Sequence, residues 1–367
     1  MKFTIAGMSL MNAVSLVSKA VDESSVMVVL AGILIRAENG EVEFQATDLN
    51  ASVSYRVRAM VEEEGATVVS GRLLNDIVKN LPDSAVHFDM PYDGTTLLMT
   101  CDKSRFRLNT LNATDFPEFP HIDVTNSVTV PRETLADMVK RVRKFIIKDD
   151  TRPILKGIEV SVCNGTLSVA ASDTYRIAVC NARLSDCDAD FSAVIPGKVI
   201  CDVMGAKTPV ENVTIGKNDS QILMTVGNVT YVTRTLDGTF PNLKLIFPEG
   251  ASTQAVIDPK MMAQALRRVS VFKQKEPRIR LDVYEDAQAV QMTSFAPDQG
   301  ELSEVVDCDV EGSSLVMVVN PRFLADTLES LAGFDYATAG FNGSTQPMVV
   351  RAYGDIDFSA LIVGMRI

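Results

Sequence analysis

Chemistry at neutral pH needs a nucleophile, a base or a metal ligand, and this chain offers few of them. Only two histidines occur, His87 and His121, and the second stands beside a proline-rich stretch. The six cysteines, Cys101, Cys163, Cys180, Cys187, Cys201 and Cys308, form no Cys-x-x-Cys pair. A four-ligand zinc site is therefore not expected, and the thiols read as reduced, small apolar residues. There is no Gly-rich loop ending in Lys-Ser/Thr, no His-Glu-x-x-His and no Gly-x-Ser-x-Gly. The one arrangement that imitates a catalytic pair is Asp48 and Asp173, each after a hydroxyl residue, Thr47 and Ser172. Both stand at the same point of a repeat, which favours a structural role at a strand end over acid–base work. Catalysis, a metal and a cofactor are all unexpected.

The basic residues are gathered, and that bears on binding. The formal net charge is −12, which by itself argues against nucleic acid. Yet residues 132–148 hold six basic and two acidic side chains, and residues 259–278 hold six and one. Those segments carry +9, so the remaining 330 residues carry −21. In the first, Leu135, Val139, Val142 and Ile146 share one helical face, leaving Lys140, Arg141, Lys144 and Lys148 opposite. In the second, Met262, Leu266 and Val269 turn inward, with Lys260 and Arg267 opposite and Arg268 beside them. A single basic helix face is ordinarily a solvated surface. Two at equivalent places in a repeat suggest a shared purpose. Turned into the hole of a ring, they would offer phosphate contacts without base information, and an acidic exterior would keep DNA from sticking outside. The first helix pattern (Leu10, Val14, Val17 and Val21 inward) offers only Ser15 and Lys19 outward, before acidic Asp22-Glu23. DNA candidates in that part are Arg72 and Lys79, and Lys198 stands at the matching place further on.

A duplication positions these faces. Leu30-Ala31-Gly32-Ile33-Leu34-Ile35 returns 125 residues later as Leu155-Lys156-Gly157-Ile158-Glu159-Val160. The same displacement carries Asn39-Gly40 onto Asn164-Gly165 and Thr47-Asp48 onto Ser172-Asp173. Thr110-Leu111 and Phe116-Pro117 match Thr235-Leu236 and Phe240-Pro241. A third, more divergent copy opens at Pro259, as the second opens at Pro131. Three domains follow: 1–122, 127–249 and 252–367. Short helix patterns at 72–81, 198–205 and 321–331, each after a β-branched run, divide every domain into two strand–helix–strands half-units of about 60 residues. A solenoid is the competing repeat architecture, but its units are usually about 20–45 residues and lack this two-fold division. No apolar run approaches the roughly 18 residues of a membrane span, no signal peptide is recognisable, and a cytoplasmic protein is expected.

Read along its whole length, the chain resembles the bacterial sliding clamps, the beta-subunit family of DNA polymerase III. The resemblance is carried by Ala46-Thr47-Asp48-Leu49, Ser104-Arg105-Phe106-Arg107-Leu108-Asn109-Thr110-Leu111 and Asp115-Phe116-Pro117. Ala171-Ser172-Asp173-Thr174-Tyr175-Arg176-Ile177-Ala178-Val179 and Asp237-Gly238-Thr239-Phe240-Pro241 complete it. It implies an α+β DNA-clamp fold and a head-to-tail homodimer whose six domains close a ring around double-stranded DNA. It also implies a groove for short motifs of the replicative polymerase alpha subunit, the clamp-loader complex and other clamp-binding proteins. Here that groove would use Arg152, Leu155, Thr174, Tyr175, Arg176, Ile177, Pro241 and Ile246, with Leu361, Val363, Gly364, Met365 and Arg366 from the C-terminal stretch. Its walls would bury a partner's Leu or Phe while the arginines hold the polar ends. The dimer would pair Phe106 and Leu108 with the Val271-Phe272 region of the next subunit. The family usually has Gly-His where Thr174-Tyr175 stand and Met-Pro-Met where Val363-Gly364-Met365 stand, so a bulkier lip at Tyr175 and a looser floor at Gly364 are expected. A monomeric peptide-binding scaffold that does not encircle DNA is the competing function.

Overall fold

Three of the helices begin where a strand runs into a residue whose side chain caps them. The computed structural model describes residues 1–91, 94–149, 151–185, 189–206, 208–243, 246–272 and 275–365. Six α-helices occur among them: α1 (Gly7–Val17), α2 (Gly71–Lys79), α3 (Arg132–Val142), α4 (Gly197–Met204), α5 (Pro259–Val269) and α6 (Pro321–Ser330). The Ser70 hydroxyl accepts from Leu73 N–H at the start of α2, Asp258 from Lys260 and Met261 at α5, and Asn320 from Arg322 at α6. Pro259 and Pro321 occupy first-turn positions that need no N–H donor. Every helix follows a strand directly, from Lys2–Ala6 before α1 to Leu315–Val319 before α6.

Two helices are shorter than their hydrophobic spacing suggests: α1 stops at Val17, with Ser18–Ala20 a 3₁₀ turn and Val21 already in extended backbone. The pattern through Ile146 predicts a helix over 132–148, but α3 stops at Val142 and Arg143–Phe145 forms a 3₁₀ turn. The tighter turn carries Phe145 into the core, fully buried, while Ile146 is half-buried in extended backbone. The Lys144 carbonyl accepts from a side chain, the Arg176 guanidinium, at 2.7 Å, in place of a further helical N–H. Lys144 and Lys148 therefore lie beyond α3 rather than on it.

The chain forms two compact units, Met1–Glu133 with Lys198–Thr235, and Thr134–Gly197 with Leu236–Ile367. In the first, thirteen strands make one continuous ladder, running from Asn126–Pro131 through Val229–Arg234 and Ala51–Arg58 to Lys2–Ala6 and Met60–Glu63. The second holds a nine-stranded sheet, in which Arg176–Arg183 adjoins Ile356–Ile362, and a four-stranded sheet edged by Gly300–Asp307. The sequence repeat and the compact units cut the chain differently for a physical reason. Each half of the middle repeat continues a neighbouring repeat's sheet by edge-to-edge antiparallel pairing. Val232 faces Ser52 at the first seam, and Ile177 faces Leu361 at the second. Backbone hydrogen bonds thus carry the sheet across each repeat boundary.

The recurring Leu-x-Gly-Ile has a steric cause. A Cβ at Gly157 would come within 2.5 Å of Val194 Cγ1, and one at Gly32 would run into the equivalent Val68. Only glycine lets the strand start that close to its neighbour.

Candidate functional site

At the second seam, strand pairing lays out an apolar floor. Ile177, Val179, Ala170, Val349 and Leu361 form one buried cluster, with Phe240, Leu243 and Phe247 packed against it. Ile147, Ile154 and Leu155 form a second, shared through Phe240 with Val194 and Leu236. Of the expected groove residues, Leu155, Ile177 and Leu361 are therefore floor, Pro241 is half-buried, and Arg152, Thr174, Tyr175, Ile246 and Val363 are exposed around it. Arg366 lies outside the described residues. Phe240, Leu243 and Phe247 were not singled out in the sequence, although Phe240 stands in the repeated Phe-Pro and Phe247 precedes Pro248.

The turn that forms the lip of this floor is held from below. Asp173 accepts from the N–H groups of Tyr175 and Arg176 at 3.1 Å, just as Asp48 accepts from Asn50 and Ala51 at 2.9 and 2.7 Å. Both aspartates stabilise a turn, as their matching positions suggest. The turn puts Thr174 at φ 78° and Leu49 at φ 68°, left-handed conformations costly for a β-branched residue and easy for the glycine usual in the resembling family. Arg176 is 5% exposed, with its guanidinium between the rings of Phe145 (4.8 Å) and Phe323 (4.5 Å). It donates to Asp173 at 2.8 Å, Asp326 at 2.7 Å and the Lys144 carbonyl at 2.7 Å. This arginine sets the shape of the wall from behind, whereas Arg152 stays exposed. Tyr175 is 62% exposed and stacks on Phe323 at 6.3 Å, which gives the lip an aromatic cap.

The C-terminal stretch is fastened to both sides. Val363 N–H donates to the Tyr175 carbonyl at 3.0 Å, and Met365 N–H to the Val318 carbonyl at 2.7 Å. At Gly364 a Cβ would meet the tip of the Met317 side chain, Cε, at 3.0 Å.

The ten basic candidates separate into two groups. Lys79, Lys140, Lys148, Lys260 and Arg267 are exposed. The others are engaged: Arg72 with Glu23 at 3.5 Å, Arg268 with Glu304 at 2.8 Å, Lys144 with Asp326 and Glu329, and Lys198 with the Lys19 carbonyl. Arg141 is the most enclosed. It pairs with Asp137 at 2.9 Å, donates to the Ser330 carbonyl at 2.7 Å and lies over Phe334. Arg143, exposed in the 3₁₀ turn, joins the free group although the helical wheel overlooked it.

Two of the open strand edges carry opposite charge. Ser104–Leu111 pairs along its length only with Thr96–Cys101, touching Gly65–Ser70 just at Thr110 and Leu111. It carries half-buried Phe106 and buried Leu108 inward, with Arg105 and Arg107 exposed. Gly300–Asp307 pairs only with Ala289–Ala296 and carries Glu301, Glu304 and Asp307. Helix α5 packs beside this second edge, and Val271, exposed, and Phe272, half-buried, follow its last turn. Burial pushes the Cys180 thiol up to about 12 and the Cys308 thiol up to about 11, which suppresses their thiolates.

Comparison with known proteins agrees along the whole chain. Family models described as the N-terminal, central and C-terminal domains of the DNA polymerase III beta subunit match residues 1–120, 129–242 and 244–366. The beta sliding clamp of Bacillus subtilis (strain 168) is 28% identical over 381 residues, covering 100% of both chains. That of Streptomyces coelicolor is 31% identical over 339 residues, covering 90% of this chain and 89% of the relative. Among solved structures, the Bacillus subtilis sliding clamp superposes with a TM-score of 0.91 at 26% identity, over 100% of this chain and 99% of that one. A Pseudomonas aeruginosa sliding clamp bound to griselimycin gives a TM-score of 0.91 at 26% identity, with both chains covered completely. With all three domain models matched in order on a three-domain clamp fold, the chain belongs to the DNA polymerase III beta-subunit family, the bacterial sliding clamps.

Proposed function

We propose that this protein is a replication processivity factor that works as a homodimeric ring. It encircles double-stranded DNA without reading sequence and holds the polymerase and other partners through the groove at the second seam. No step of bond making or breaking belongs to it.

One observation carries the ring: the repeat leaves two complementary edges. Ala51 faces Thr233 at the first seam and Arg176 faces Ile362 at the second. Arg176–Arg183 lies 125 residues after Ala51–Arg58, and Gly300–Asp307 lies 124 residues further on. Shifting the Ala51–Thr233 register by these displacements puts Gly300 opposite Leu108 of a second copy. Leu302 then meets Phe106 on the inner face, and Glu301 meets Arg107 on the outer face, with Ser303 opposite Arg105. Apolar faces apolar and acid faces base, each pair supporting the others. The contact is heterologous, so two copies must close it to remain finite. In this pairing Phe106 and Leu108 lie in the interface, and the Val271-Phe272 region flanks the edge strand.

Light scattering on a sizing column tests the assembly. A mass of twice 39.9 kDa that survives dilution is expected. A persistent monomer would remove encirclement and leave a peptide-binding scaffold.

A further inference from the structure

The first seam is built like the second, yet its floor is polar. The duplication places Gln45 where Ala170 stands, Ser52 where Ile177 stands, Ser54 where Val179 stands and Glu43 where Ser168 stands, each displaced by 125 residues. The strand registers preserve the match, Ser52 facing Val232 as Ile177 faces Leu361. The aromatic ledge is kept too, Phe116 and Pro117 for Phe240 and Pro241. The result is an open cleft of about 1000 Å³ whose lining includes Glu43, Gln45, Ser54, Arg56, Phe116 and Phe119.

The polar floor is a completed network. Ser54 donates to Glu43 Oε1 at 2.6 Å, Arg56 Nε donates to the same oxygen at 3.1 Å, and the Thr47 and Ser52 hydroxyls are 2.8 Å apart. Glu43 is 8% exposed, Gln45 5% and Ser54 5%. Burial pushes the Glu43 carboxyl up, but hydrogen bonds from Ser54, Gln45 and Arg56 with the Arg56 charge outweigh it and hold the group below its ordinary value. A partner's Leu or Phe laid here would face the oxygen and nitrogen atoms of a network already complete within the protein and would find little carbon to cover. At the second seam the same side chain covers only carbon.

We infer that Glu43, Gln45, Ser52 and Ser54 determine specificity by exclusion: they keep apolar peptide motifs out of the first seam, so each subunit offers one docking site rather than two. The inference rests on the second seam being a peptide groove. Two sites of one strand plan on every subunit would otherwise compete for the same partners, and the chemistry of these four positions separates them.

The test transplants the second floor into the first: Glu43→Ser, Gln45→Ala, Ser52→Ile and Ser54→Val together. A synthetic ten-residue peptide with a central Leu-Phe pair is titrated calorimetrically into the full-length protein. One peptide per chain is expected for the natural sequence and two for the fourfold variant, where the untouched second seam reports that the fold is intact. Gln45→Ala with Ser52→Ile, which leaves the Glu43–Ser54–Arg56 network in place, is the milder variant and should show a second, weaker site. One site in every variant would overturn the inference alone, and two sites in the natural protein would do the same. No binding to the natural protein would overturn the groove reading and this inference with it.

Discussion

At the residue scale, two side chains show how much the surroundings decide. Arg176 looked like a peptide anchor because its type and position suit one, but no sequence pattern announces that Phe145, Phe323, Asp173 and Asp326 converge on it. Its partners lie up to 150 residues away, so its burial could not be read locally. Asp48 and Asp173 were legible, because an Asx turn is made by neighbours in the chain. Glu43 belongs to the illegible kind, and it gives a pH signature. Its carboxyl sits below the ordinary 4.5, so its contribution to stability is complete above that value and fades as pH falls through the lower folded-state value. Urea midpoints of the natural protein and Glu43→Gln at pH 7 and at about pH 3.5 should therefore converge in acid, the natural protein losing more. Equal losses would mean that Glu43 is not held ionised by Ser54 and Arg56.

At the scale of elements, periodicity located the six described helices and the half-unit pattern, since the apolar stripes of α1, α2, α5 and α6 pack on strands. It failed at the end of α3, where a side chain from another strand takes the Lys144 carbonyl and stops the helix. Strand edges were half legible. Ser104–Leu111 was marked by the family resemblance, whereas its complement, Gly300–Asp307, shows only in the sheet, where it is unpaired on one side. The proposed edge pairing places Arg105 and Arg107 against Glu301 and its neighbours. Reversing both arginines to Glu should shift the dimer to monomer, and changing Glu301 and Ser303, which face them in this register, to Lys in the same chain should restore it in large part. Sedimentation velocity at low salt reads the difference, since exposed charges are screened at high salt. Full dimer in the arginine double variant would put the interface elsewhere.

At the scale of the whole molecule, an acidic chain that handles DNA needs its positive charge kept in one place. The two segments that carry +9 of a −12 total satisfy that condition in sequence. Ion pairing then leaves Lys140, Lys148 and Arg267 among the exposed cations. Changing those three to Glu should shorten residence on circular DNA at least several-fold while the dimer mass is unchanged, because phosphate attraction is lost and the ring is not. Unchanged residence would remove these residues from the pore. The repeat made the three-domain plan visible from sequence, through spacing alone. Two contact units where three repeats were counted reflect hydrogen-bonded seams, which sequence does not display.

The most direct test of encirclement is retention of labelled protein, loaded by a clamp loader, on a nicked circular duplex before and after one restriction cut. A ring that holds DNA by topology stays on the circle through gel filtration and slides off once the DNA is linear. Equal retention on both forms would mean that the protein grips DNA by contact, and encirclement would be contradicted.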